Sequence, residues 1–215
     1  MAAGPAQPVD VALVLAMDCS GSISPEHLAL QIEGYAAATE SPLLLRAIQA
    51  GRFGRIALTF LQWSEVRRAE QVVPWTWVDG REAAAQFAAL VRRAAHPMAS
   101  FTSISGAIDR SMRLLSDPGV VASRRIIDIS GDGANNDGRP VTEARDDALA
   151  AGVTINGLPI QGNEPGIDGY YRDQVIGGPH CFIAPARDPH DFAGALLRKM
   201  LAEVAGRTVG EPSGA

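Results

Sequence analysis

Apolar residues fill positions 9 to 18 almost without interruption and stop at an aspartate, the pattern of a strand covered on both faces of a parallel sheet. Ser24 and Pro25 then supply an N-cap and a first helical residue, and helical spacing continues over residues 25–38. Ser41 and Pro42 repeat that start signal, which predicts a short helix over residues 43–50. Residues 55–63 and 71–78 are β-rich runs separated by a charged stretch, 64–70, too short to hold a crossover helix, so they predict an antiparallel hairpin. Further along, helical spacing over 81–95, 104–115, 140–151 and 191–205 alternates with short β-type runs at 125–130, 153–159 and 181–184.

Strands alternating with helices of about a dozen residues imply parallel pairing. The expected fold is α/β: a doubly wound, mostly parallel sheet with one antiparallel edge strand and helices on both faces. One domain over residues 9–205 accounts for the pattern, with residues 1–8 and the Gly-, Pro- and Ser-bearing residues 206–215 as flexible tails. The 215 residues, 47% hydrophobic and 20% charged, suit a single well-buried core. A net charge of −5 with no dense basic run argues against nucleic acid as a partner. No apolar run reaches the roughly 20 residues that cross a bilayer, and residues 1–8 carry no signal-peptide pattern. Lys199 is the only lysine, which excludes a Walker-type nucleotide site and any Schiff-base lysine elsewhere.

In a doubly wound sheet the loops after the carboxyl ends of the strands gather into one crevice. After the first strand comes Asp18-Cys19-Ser20-Gly21-Ser22, an Asp-x-Ser-x-Ser pattern that brings a carboxylate and two hydroxyls to one point. After the strand at 125–130 comes Gly131-Asp132-Gly133, and before the helix at Ile104 stands Thr102. Two carboxylates and three hydroxyls, with no thiol or imidazole among them, suit a hard cation: Mg²⁺ or Mn²⁺, with Ca²⁺ compatible with the same set. Taken alone, an Asp-x-Ser-x-Ser turn more often caps a helix; it is the three separated pieces together that point to a metal. Cys19 reads as a small buried hydrophobe facing away from that point.

These three pieces resemble the von Willebrand factor type A domain: the Asp-x-Ser-x-Ser loop, the threonine ahead of Ser-Ile-Ser-Gly-Ala-Ile, and the Ser-Gly-Asp-Gly turn. The resemblance spans roughly residues 9–205 and implies a metal-ion-dependent adhesion site with Asp18, Ser20, Ser22, Thr102 and Asp132 as ligands. It implies a non-enzymatic role, in which a protein partner supplies an Asp or Glu carboxylate to the cation. Asp128-Ile129-Ser130-Gly131-Asp132-Gly133 with Asn135-Asn136, and Tyr170-Tyr171-Arg172-Asp173 leading to Ile176-Gly177-Gly178-Pro179, further resemble an uncharacterised bacterial branch of that superfamily. A periplasmic or secreted location follows from the resemblance and from the processed look of residues 2–8. The strand order of type A domains places two strands between Cys19 and Cys181, so these stay unbridged.

Two other readings remain open at this stage. One is a metal-dependent hydrolase or phosphotransferase with Asp18 as nucleophile, for which the motif loops lack a general base. The other is a structural domain with a vestigial site. His27, His96, His180 and His190 are dispersed at no metal-binding spacing and read as core, cap or surface residues. Asn135, Asn136 and Asp137 read as a solvated turn, Trp75 and Trp77 as one face of the hairpin packed on a helix, and Tyr170 and Tyr171 either as the rim of the site or as helix packing.

Overall fold

Side chains of β1 (Val9–Asp18) alternate between two separate cores: Val11, Leu13, Leu15 and Met17 enter one, Ala12, Val14 and Ala16 the other. That alternation sets the layering of the chain, which a computed structural model describes over residues 7–94 and 100–206. The first core is closed by α1 (Pro25–Glu40), α2 (Pro42–Gln49), α3 (Arg81–Arg93) and α7 (Phe192–Ala205). The second is closed by α4 (Ile104–Leu115), α5 (Val141–Ala150) and a π-helical turn (Tyr171–Val175) that continues α6 (Ile167–Tyr170). Between the two layers runs a five-stranded sheet in the order β3-β2-β1-β4-β5, with β2 (Ile56–Trp63), β3 (Ala69–Val78), β4 (Ala122–Gly131) and β5 (Thr154–Pro159).

Pairing is parallel except between β2 and β3, so the hairpin supplies the antiparallel edge. Pro74, which has no N–H to donate, lies where the β2–β3 register shifts, a fault that an edge strand tolerates. Trp75 packs on the second core and donates to the Leu114 carbonyl at 3.3 Å, while Trp77, on the open edge strand, stays 37% exposed. The two serine caps form: Ser24 accepts from His27 N and Ser41 from Leu43 N.

The strand expected at 181–184 is not formed as such. This segment meets β5 only through isolated bridges, Gly157 to Ile183 and Ile160 to Ala186. Left-handed backbone at Gly178 (φ 94°) and His180 (φ 57°) turns the chain into the segment; Ala184 N and Ala186 N donate to the Gly157 and Pro159 carbonyls, but Pro159 has no N–H to return to Ala184, so the ladder breaks into two bridges. The tails expected at 1–8 and 206–215 lie, apart from residues 7, 8 and 206, outside the described residues, as do Ala95 and His96. Among the described residues no helix is long and apolar enough to cross a membrane.

Cys19 follows β1, and Cys181 lies on the far side of β5, with β4 and β5 between them; both are free thiols. Strands spaced about 4.8 Å apart carry this pair beyond the roughly 7 Å Cα limit of a disulfide. Mass spectrometry of the unreduced protein should find no peptide linked through these two residues within one chain; a linked pair would contradict the sheet order.

Charge is also buried in the first layer. Lys199 of α7 is fully enclosed, its Nζ 2.6 Å from Glu203 Oε1 and 2.7 Å from Asp128 Oδ1 on β4. The second contact is an ion pair off the line of a hydrogen bond, and Asn156 Nδ2 of β5 donates to the same Glu203 oxygen at 3.0 Å. The lone lysine, without a role in the sequence reading, therefore joins the last helix to the sheet.

Candidate metal centre

β1 leaves the sheet at Asp18, and the turn that follows is built by that carboxylate: Asp18 Oδ1 accepts from Ser20 N at 2.7 Å. Cys19 N is held by the Trp63 carbonyl of β2 at 2.8 Å. Its thiol points back toward the Met17 carbonyl, in the first core, and burial pushes it up, so the expected inert role is met. Ser20 is buried and Ser22 exposed, their hydroxyls 3.2 Å apart, and Ser22 Oγ donates to Asp132 Oδ1 at 2.6 Å. The first and third sequence pieces are thus in contact across 110 residues.

Thr102 reaches the same place through the loop after β4. Its N–H donates to Asn136 Oδ1 and its carbonyl accepts from Asn136 N, each at 2.8 Å. A Cβ placed on Gly133 would lie 3.7 Å from Thr102 Oγ1. Ser103 caps α4, accepting from Gly106 N, and Asn135 Oδ1 accepts from Ser105 N at 2.9 Å. Asn135, Asn136 and Asp137 are therefore not the solvated turn that composition suggests. They bind the β4 loop to the start of α4, with Asp137 also accepting from Val66 N. All five residues marked in the sequence come to this one sheet edge.

Sequence reasoning missed Asn163. Its Nδ2 donates to Asp132 Oδ2 at 2.6 Å and to the Ser22 carbonyl at 3.4 Å, from the loop after β5. No local motif marks it. Glu164 beside it accepts from Ala134 N at 2.7 Å. A cleft of about 210 Å³ opens next to Asp132, walled by His27, Gln31, Asn163 and Arg187. A cavity of about 270 Å³ lies away from this edge, under α7, lined by Arg124, Asn156, Phe182 and Glu203, and touches none of the five residues.

Two carboxylates, Asp18 wholly buried and Asp132 4% exposed, share this pocket of hydroxyls. Burial pushes Asp18 up to about 7 against the hydrogen bond from Ser20, and the charge on Asp132 adds to the rise. Its second oxygen, Oδ2, has no hydrogen-bond partner among the described residues. A divalent cation would relieve the repulsion and engage the unpartnered oxygen, and an oxygen-only set suits a hard ion. No three His, Cys, Asp or Glu side chains able to hold a metal converge among the described residues, so the hydroxyls are needed to complete such a shell.

Comparison with solved structures agrees with this architecture. A von Willebrand factor type A protein from Catenulispora acidiphila superposes with a TM-score of 0.66 at 16% identity, over 92% of this chain and 43% of that one. The von Willebrand factor domain of the type V pili tip protein Mfa5 from Porphyromonas gingivalis gives 0.65 at 11% identity, over 95% and 98%. Proximal thread matrix protein 1 from the mussel byssus, solved with a zinc-occupied MIDAS motif, gives 0.66 at 11% identity, over 92% of this chain and 46% of its own. The chain thus spans less than half the length of the mussel protein. No curated protein matches in sequence. The fold is that of the von Willebrand factor A domain, and a family model described as protein of unknown function (DUF1194) matches residues 8–208, so the chain belongs to the DUF1194 family.

Proposed function

We propose that residues 9–205 act as one binding unit that holds a divalent cation, Mg²⁺ or Mn²⁺, through Asp18, Ser20, Ser22, Thr102 and Asp132, and presents it to an Asp or Glu carboxylate of a protein partner. The observation that carries this reading is the pairing of Asp18 and Asp132 at one buried point, with Asp18 Oδ2 unpartnered. When bound, the cation supplies an electrophilic centre that accepts an anionic oxygen. Asp18 and Asp132 provide two formal negative charges and the hydroxyls none, which only balances the charge of the cation and, unlike a shell saturated with carboxylates, leaves it electrophilic enough to take a third carboxylate. Ser22, exposed at the rim, exchanges its hydrogen bond to Asp132 for the cation, while Ser20 and Thr102 stay enclosed beneath.

Hydrolysis with Asp18 as nucleophile fits less well, because a carboxylate with no exposed surface cannot reach a substrate. The solved proteins of this fold include pilus and byssus proteins, which supports a binding role outside the cytoplasm, periplasmic or secreted.

Saturating Mg²⁺ should raise the melting temperature, since an ion that binds only the folded state adds about 2.7 kcal/mol at 100 times its Kd. Capture of partners from an envelope extract should succeed in Mg²⁺ and fail in chelator or with Thr102→Ala. Capture that persists undiminished in chelator would sink the adhesion reading and leave a structural domain.

A further inference from the structure

Tyr171 opens the π-helical turn, and its side chain is fully buried against the second core. The ring is closely held: a Cβ on Gly157 would fall 2.6 Å from Tyr171 Cδ1, so β5 carries no side chain at that point and the aromatic ring lies directly on its backbone. Despite this enclosure the phenol has no hydrogen-bond partner among the described residues. Buried hydroxyls in native proteins are almost always bonded, so an orphan calls for an explanation.

The explanation lies at Gly131, next to Asp132 in the chain. A Cβ at this residue would sit 2.9 Å from Tyr171 Oη and 2.8 Å from Asp18 Oδ2, the other orphaned oxygen of this region. A donor and an acceptor, both buried and both unpartnered, thus flank one point that only glycine leaves free. Both lie within 3 Å of that point, close enough for a single oxygen or a small rotation to join them. A phenol keeps its proton at neutral pH, so toward a carboxylate it can only donate.

We propose that Tyr171 is a positioning residue of the metal centre: when a cation is held there, its hydroxyl donates to Asp18 Oδ2, directly or through one water, and fixes that carboxylate in the orientation that ligates the ion. The inference rests on the reading of Asp18 and Asp132 as cation ligands. A carboxylate oxygen accepts more than one bond, so the phenol does not consume Asp18 as a ligand. Outer-shell donors of this kind orient the ligands of metal sites, and their loss typically weakens binding 10–100-fold.

The test compares wild type, Tyr171→Phe and Asp132→Ala by Mn²⁺ titration, following the free-ion electron paramagnetic resonance signal, and by denaturant unfolding in chelator. Wild type should bind, Asp132→Ala should not, and Tyr171→Phe should bind about tenfold or more weakly. In chelator, by contrast, Tyr171→Phe should be as stable as wild type or more so, because it removes a hydroxyl that has no partner. A merely structural hydroxyl would give the opposite pair of results. Equal Mn²⁺ affinity in wild type and Tyr171→Phe overturns the positioning role while leaving the metal centre intact. A phenylalanine variant that is destabilised in chelator overturns it as well, and no uptake by wild type overturns both readings together.

Discussion

Replacing Lys199 with methionine is expected to lower the unfolding free energy at pH 7 by about 3–5 kcal/mol, the scale on which loss of one partner from a buried ion pair destabilises a protein. Methionine keeps the length of the side chain, so the loss measures charge and not a cavity. Nζ of Lys199 lies between Asp128 Oδ1 and Glu203 Oε1, and all three residues are buried. Asn156 on β5, Arg124 on β4 and Tyr35 on α1 are the other polar groups around Glu203, and Arg124 is committed to the carbonyls of Glu203 and Val204 at the end of α7. Without the ammonium, two carboxyl groups face each other in a dry core.

This deficit should depend on pH. Burial pushes Glu203 from 4.5 up to about 7, against the pull of Lys199 and with the charge of Asp128 adding to it; Asp128 is raised in the same direction by its own burial. Between those values the folded state keeps a proton that the unfolded chain has released. The contribution of Glu203 is therefore complete below about 4.5 and is lost as pH rises through about 7. Removing the cation strengthens both upward shifts, so Lys199→Met should lose stability with rising pH more steeply than wild type and recover part of its deficit at pH 5. Urea unfolding of both proteins at several values between pH 5 and pH 8 decides this. A variant within about 0.5 kcal/mol of wild type throughout, the range of ordinary surface changes, would mean that the lysine is not part of a closed ion pair.

Asp18→Asn should abolish the stabilisation by Mg²⁺ while leaving the chelated protein at least as stable as wild type at pH 8. Asparagine matches the shape, and its side-chain oxygen can still accept from Ser20 N. What it removes is a buried charge. Burial pushes Asp18 up to about 7, so at pH 8 the folded chain holds an ionised carboxylate beside Asp132, and the stability that its protonation confers at low pH has already been lost. The amide avoids that cost and supplies neither the charge nor the full acceptor capacity that a hard cation requires. Calorimetric titration with Mg²⁺, together with melting in chelator, gives both halves of the result. A variant that still gains several degrees with Mg²⁺ would remove Asp18 from the ligand set. One that melts far below wild type in chelator would make Asp18 a structural carboxylate and not a ligand held in reserve.

Much of the fold was legible because it depends on short-range patterns. The unbroken apolar run of β1, the Ser-Pro starts of α1 and α2, and the short charged link between β2 and β3 each specify a local structure, and the alternation of elements then leaves few topologies. The segment at 181–184 reads as β in its four residues, but left-handed residues precede them and Pro159 on the partner strand lacks the donor that would continue the ladder. Ser20, Ser22, Thr102 and Asp132 could be picked out because, although each piece alone could serve as a turn or cap, three such pieces in order are rare by chance.

The sequence by itself determined the layered sheet, the edge hairpin and the five oxygen-bearing residues at one end of it, since hydrophobic period and turn chemistry act over a few residues. Only the tertiary structure decided which distant groups meet them. Asn163 on Asp132, the asparagine pair linking Thr102 to the β4 loop, Tyr171 beside Asp18 at Gly131, and Lys199 between Asp128 and Glu203 are contacts between elements far apart in the chain. The physical reason is that an asparagine, a tyrosine or a lysine has no local signature for such a contact: it depends on a desolvated neighbour, and which neighbour is desolvated is settled only when the helices close over the sheet.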